Sequence, residues 1–191
     1  MTTNAETHHY IKNILQSLIS FINTAGMNKN AQPAEVVAKL QAFIHIQSSI
    51  QDFVFDSKQL DYKADIRTDL VIEKVISTQS GLVNINKNDF PALLCSVKRT
   101  ANLALIFLES LHFLKKCTSQ DISVEIDDLE SGEYEIKMTA FLRDDLLIVL
   151  DKAADNDLKL ASLLMKSDLK SELKLSNAEN KLVISSVFAL Q

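Results

Sequence analysis

The densest run of chemically useful side chains is Glu6-Thr7-His8-His9-Tyr10-Ile11-Lys12-Asn13-Ile14-Leu15-Gln16. Read as a helix, Ile11, Ile14, Leu15, Leu18, Ile19 and Ile22 recur at spacings of three and four and make one buried apolar stripe. His8 falls in line with that stripe. His9 falls on a polar face with Lys12, Asn13, Gln16 and Ser20. An exposed imidazole, with a pKa of roughly 6.5, is mostly neutral at physiological pH and is a competent nucleophile. A cation and an amide one turn away are suited to steady the oxygens of an arriving phosphoryl group. Spacing alone leaves two readings of His9 open, a phosphoryl acceptor or a plain surface histidine.

The elements that must position these groups are helical. A first helix is expected from about residue 5 to 24, with Ala25-Gly26-Met27-Asn28-Lys29-Asn30 as its C-cap and loop. Pro33 suits the first turn of a second helix, which runs to Asp56. Its expected seam is Val36, Val37, Leu40, Phe43, Ile44, Ile50, Phe53 and Val54, interrupted by Gln47. His45 lies on the polar side with Ser49 and Asp52 and reads as a surface residue. Two amphipathic helices and a short loop make a helical hairpin, and one hairpin cannot bury both stripes alone. Pairing two copies into a four-helix bundle does so, which predicts a homodimer through residues 5–58.

The chain of 191 residues is long enough to bury a proper core. Its net charge of −5 argues against a nucleic-acid binder that works by neutralising phosphates. No apolar run free of charges reaches membrane-spanning length, and Met1 to Glu6 lack the basic start and apolar core of a signal peptide, so a cytoplasmic location is expected. Cys95 and Cys117 read as buried free thiols. No CxxC or HExxH occurs, so no metal site is expected. Gly26, Gly81 and Gly132 are the only glycines, and Pro33 and Pro91 the only prolines.

Beyond the hairpin, Leu60 to Asp65 reads as a connection and Asp69 to Thr78 as a helix. Ser80 to Ile85 reads as a turn into a short strand. Pro91 is expected to open a strongly apolar helix through Lys116. The period then changes to two: Ile122–Ile126 and Tyr134–Phe141 alternate as strands around a turn at Ser131-Gly132-Glu133. Leu146–Leu150 is an apolar run, either strand or helix start. Asp157–Leu169 looks helical, and a last hairpin turns at Asn177-Ala178-Glu179-Asn180. The expected fold class is therefore an all-α helical hairpin over residues 1–62 followed by an α+β domain over 63–191.

The stretch from Glu6 to Gln16 resembles the phosphoacceptor box of the sensor histidine kinases, roughly E-x-H-H-R-x-K-N-x-L-Q. Glu6, His8, His9, Lys12, Asn13, Leu15 and Gln16 match in order, and Tyr10 stands where the family has arginine. The resemblance implies that His9 is the phosphoacceptor. Ile50 to Leu60 resembles the family's V-H-E-L-L-Y-x-S-x-x-L, with Ser57 and Leu60 agreeing. The second half is similar in its order of elements to the family's ATP-binding domain. That domain holds Mg²⁺ through N-E-x-x-x-N-A on its long helix. The counterpart Leu108-Glu109-Ser110-Leu111-His112-Phe113-Leu114 keeps the glutamate and lacks both asparagines. The glycine-rich segments that wrap nucleotide are also missing: Asp155-Asn156-Asp157-Leu158-Lys159 carries no glycine, and none follows Gly132.

An intact acceptor box beside a degenerate ATPase-like domain resembles the dimeric histidine phosphotransferases of phosphorelays. The resemblance implies transfer between receiver-domain aspartates of response regulators through phosphohistidine at His9, with no cofactor of the chain's own and with Mg²⁺ supplied by the receiver. Lys12 and Asn13 are implied to position the phosphoryl group, Glu6 to orient the imidazole, and Tyr10 and Gln16 to lie on the docking face. A hybrid histidine kinase is a further implied partner. Two rival readings stay open: a non-catalytic pseudokinase scaffold, and a histidine kinase lacking its sensor.

Overall fold

A computed structural model describes residues 33–56, 65–79, 84–118, 120–129, 131–142, 157–178 and 180–190, together with positions 15, 19 and 22. Helix α1 spans Pro33–Asp56, the extent expected from its proline start. After it come β1 (Asp65–Arg67), α2 (Thr68–Gln79), β2 (Ile85–Lys87) and β3 (Leu94–Ser96). The long helix α3 (Val97–Cys117) leads to β4 (Ile122–Asp128) and β5 (Glu133–Phe141). Helix α4 (Lys159–Asp168) and the hairpin β6 (Lys174–Ala178) and β7 (Lys181–Ala189) complete the described chain. The α+β architecture agrees with the sequence reading. A four-helix bundle is not shown by the described residues of the single chain, and Leu146–Leu150 lies outside them.

The main sheet has the order β2-β4-β5-β7-β6. β2 and β4 are parallel and the other neighbours antiparallel. A parallel pair needs a crossover, and α3 lies within it. Alternation in β4, β5 and β7 places three cross-strand rows on the helix side. They are Ile122 with Ala140 and Leu182, Val124 with Met138 and Ile184, and Ile126 with Ile136 and Ser186. All of these side chains are buried. The opposite face mixes charged residues, with Lys137 Nζ 3.7 Å from Glu125 Oε2, and the exposed apolar side chains of Phe141 and Val187. Past the end of β2, the Asn88 carboxamide extends the ladder by side chain. Its Nδ2 donates to the Ile126 carbonyl and its Oδ1 accepts from the Ile126 amide, each at 3.2 Å.

Gly132 turns the β4–β5 hairpin at φ +78°, a backbone conformation that costs other residues energy. Asn180 does the same for β6–β7 at φ 60°.

Helix α3 is the hub. It is buried almost all round and packs on α1, α2, α4 and β5, which explains its dense apolar sequence. Its start corrects the expectation at Pro91. The helix begins at Val97, capped by Ser96, whose Oγ accepts from the Arg99 amide at 3.5 Å. The preceding residues are extended because Leu94–Ser96 pair antiparallel with Asp65–Arg67.

The α1 seam is also corrected. Phe43, Ile46 and Ile50 are buried in the same core as the sheet and α3, whereas Val37 and Ile44 are 52% and 56% exposed. The seam thus splits into an inner face and an outer one. Of the first-helix stripe, Leu15, Ile19 and Ile22 are described, and on the single chain they are helical and exposed.

Candidate functional site

Glu6, His9, Tyr10, Lys12, Asn13 and Gln16 lie outside the described residues, so the acceptor box itself is known by sequence alone. His45 is exposed on α1, as expected, and so is Asp52. Ser49 departs from the expectation: it is 6% exposed, and its hydroxyl donates to the His45 carbonyl at 2.8 Å. That back-bond satisfies a buried hydroxyl within its own helix.

The long helix carries the positions most informative about nucleotide chemistry. Leu108 and Phe113 stand where the kinase pattern has asparagines, and they are 0% and 1% exposed in the core. Glu109, the retained glutamate, is also buried. His112 is half-buried and points to the end of α2, where its Nε2 lies 3.0 Å from Gln79 Oε1. An amide oxygen only accepts, so Nε2 carries the proton in this contact. Lys115 Nζ donates to the Gln79 carbonyl and, at 3.3 Å, to Gln79 Oε1. Burial pushes the Lys115 ammonium below its usual range. His112 and Lys115 are therefore engaged in tying α3 to α2. In the Asp155–Lys159 stretch, Asp157 pairs with Lys116 at 3.1 Å and Leu158 is buried.

A second polar cluster fixes the junction of β1, α2 and β3. Asp69 is 3% exposed. Its Oδ1 accepts from Arg67 Nε at 2.9 Å and from the Leu93 amide at 3.1 Å. Burial opposes the ionisation of Asp69, but the hydrogen bonds from Arg67 and Leu93 and the Arg67 charge outweigh it, so the carboxyl lies below its ordinary range. Beneath it, the buried hydroxyls of Thr68 and Thr100 meet at 2.7 Å. Cys95 and Cys117 are buried free thiols, as expected, and burial raises the Cys95 pKa.

Between α1 and α2 runs a cleft of about 100 Å³. Ile46, Val71, Val75 and Leu108 supply its apolar walls, and His45, Asp52 and Lys74 are among its lining residues. Part of this arrangement is legible in the sequence, since His45 and Asp52 share a face of α1 and Lys74 falls outside the α2 stripe. That the two faces meet across a cleft required the fold. Among the described residues, no group of three or more His, Cys, Asp or Glu side chains could hold a metal ion. No helix among them is long and apolar enough to cross a membrane.

No protein-family model matches the chain, and no curated protein matches it by sequence. Solved structures do match. The histidine kinase domain from the Erythrobacter litoralis EL346 blue-light activated histidine kinase superposes with a TM-score of 0.63 at 12% identity, over 94% of this chain and 93% of that one. The chain has a histidine-kinase-like fold. A longer structure of the same E. litoralis kinase matches all of this chain with 64% of its own length, at TM-score 0.63 and 14% identity. The Acinetobacter baumannii histidine kinase AdeS matches at TM-score 0.51 and 10% identity, over 96% of this chain and 98% of that one. In this histidine-kinase-like fold, Leu108 and Phe113 are core residues of the long helix.

Proposed function

We propose that this chain is a cytoplasmic phosphorelay histidine phosphotransferase, which carries a phosphoryl group between receiver-domain aspartates through phosphohistidine at His9 without using ATP. The observation that carries the reading is the burial of Leu108 and Phe113 in the core of a kinase-like fold, while the sequence retains the acceptor box. Side chains sealed in an apolar core cannot reach a nucleotide-bound metal. A chain with an acceptor but no means of holding Mg²⁺ on that helix must receive its phosphoryl group ready-activated.

The chemistry is a displacement in line. A ring nitrogen of His9 attacks the phosphorus of a receiver aspartyl phosphate. The nitrogen–phosphorus bond forms as the bond from phosphorus to the aspartate oxygen breaks, and the aspartate leaves as carboxylate. The proton on the other ring nitrogen passes to solvent. Lys12 and Asn13 position the phosphoryl oxygens and Glu6 orients the imidazole. Tyr10 and Gln16 lie on the docking face, and the receiver brings its own Mg²⁺. The reverse step onto a second receiver completes the relay, with a hybrid histidine kinase as one source of the first. The homodimer reading is supported by apolar side chains exposed on both helical segments: Leu15, Ile19 and Ile22 on one, Val37 and Ile44 on the other.

The test is a transfer assay with a panel of phosphorylated receiver domains and Mg²⁺. Acid-labile, base-stable label that appears from a receiver and vanishes in His9→Ala is the expected result. Label from ATP alone refutes the reading and makes the chain a kinase. Tyr10 in place of the family arginine favours a second reading, a scaffold in which His9 is idle. That reading takes over if no receiver labels the protein and His9→Ala keeps its biological function.

A further inference from the structure

We propose that α1 and the α/β body fold and move as one unit, so that the body stays fixed to α1 throughout phosphoryl transfer. The proposal deepens the phosphotransfer reading, and its first test stands without that reading.

The joint between them is core rather than surface. Phe43, Ile46 and Ile50 are 1%, 4% and 0% exposed and belong to the same apolar cluster as Val71, Val75 and Leu108 of the body. α1 packs on α2, α3 and β1, so three elements of the body hold it. Ser49, also buried on α1, donates its hydroxyl to the His45 carbonyl at 2.8 Å and so needs no water in the joint. Lifting α1 away would return its three apolar side chains, and the residues they cover, to solvent. Burying one such side chain favours the closed form by on the order of tenfold to a hundredfold. Together the three hold the open form below about one molecule in a thousand.

A domain that donates the phosphoryl group from its own nucleotide has the opposite need. It has to carry ATP to the histidine and withdraw before a receiver reaches the same ring nitrogen. A chain that takes its phosphoryl group from one receiver and passes it to another has no such step. A fixed joint does not hinder it, and it holds α1 in one pose for both receivers.

Hydrogen exchange on the full wild-type chain reads the joint directly. The slowest amides of residues 43–50 should be protected to within about tenfold of the slowest in α3 and β5, and should lose protection together with them as urea is added. Residues 43–50 that exchange faster than that, or that open at lower urea than α3, overturn the proposal. A second arm tests the joint during transfer. Ser48→Cys with Lys74→Cys places thiols at two exposed positions that line the α1–α2 cleft, where a short bismaleimide bridges α1 to the body. Cys95 and Cys117 are buried and stay unmodified. The bridged chain should take label from a phosphorylated receiver at a rate within about threefold of the same variant capped with a monomaleimide. A larger loss on bridging shows that transfer needs the joint to open, which overturns the proposal and leaves the phosphotransfer reading standing. If no receiver labels the wild-type chain, the phosphotransfer reading fails and hydrogen exchange alone decides whether the joint is fixed.

Discussion

Asp69→Asn tests how the α/β body is closed. Asp69 is almost fully buried, and its carboxylate accepts from Arg67 and from the Leu93 amide. The neighbouring Thr68 amide donates back to the Leu93 carbonyl at 2.9 Å. Leu93 is therefore held on both its backbone groups, and the β1–β3 ladder continues through it. Asparagine keeps the volume and one acceptor but turns a donor toward Arg67 and removes the charge. Hydrogen bonds to a charged group contribute more than neutral ones, and a buried donor that loses its acceptor carries a desolvation cost. Arg67 is half-exposed and regains water, which lowers the penalty below that of a fully buried pair. The expected loss is about 1.5–3 kcal/mol. For a chain of this size that is roughly 3–12 °C in Tm.

The pH dependence gives a second, independent signature. The folded-state pKa of Asp69 lies below its ordinary value of 3.8. The unfolded state therefore binds the proton more readily, and the stabilisation is fully present above the ordinary value. It is lost as pH falls through the folded value. Thermal melts followed by circular dichroism from pH 7 to pH 2.5 should show wild type losing its advantage over Asp69→Asn in the acid limb. Exchange of the Leu93 amide should be faster in the variant at neutral pH. A variant that melts within a degree of wild type, with a parallel acid limb, refutes the reasoning.

The buried hydroxyl pair predicts a non-additive cycle. Thr100→Val leaves the Thr68 hydroxyl its longer bond to the Ile66 carbonyl at 3.3 Å and should cost about 0.5–1.5 kcal/mol, whereas Thr68→Val with Thr100→Val should cost less than the sum of the single changes in urea melts. Restoring the kinase asparagine as Phe113→Asn should destabilise by roughly 3–5 kcal/mol, because it deletes a core ring and buries an amide. No nucleotide binding should appear by calorimetry even where the variant remains folded. Val37→Glu with Ile44→Glu should leave the melting temperature of the folded chain within a few degrees and shift the species seen in sedimentation from dimer to monomer. A dimer that survives both substitutions refutes the role given to that face.

Much of the fold could be read from local pattern, and the failures share one cause. α1 has the predicted bounds because a proline start and a long apolar period are local signals. The β4–β5 hairpin was legible because alternation and Gly132 agree on it. The start of α3 was not. Pro91 to Ser96 carries apolar residues that suit a helix, but Asp69 and Thr68 claim both backbone groups of Leu93, and β1 claims Leu94 to Ser96. β1 is three residues long, too short to show a period. The same limit applies to the cleft. Lys74 and Asp52 each read as ordinary solvated charges, and only the packing of α1 on α2 brings them to one rim.

The α1 helix links these observations. Apolar residues recur around more of its circumference than one partner can cover, and the sequence alone reads them as a single seam. Phe43, Ile46 and Ile50 enter the core shared with α3 and the sheet. This accounts for Ile46 as a core residue, while Ile44, two positions away, faces solvent. Val37 and Ile44, seven residues apart and so on one face, remain uncovered. A helix committed on its inner side to the α/β body can still present an outer side to a second copy. His45 and Asp52, which line the cleft, lie between those two sides. In the proposed dimer, that outer side would meet a second copy while Phe43, Ile46 and Ile50 keep the helix fixed to the α/β body.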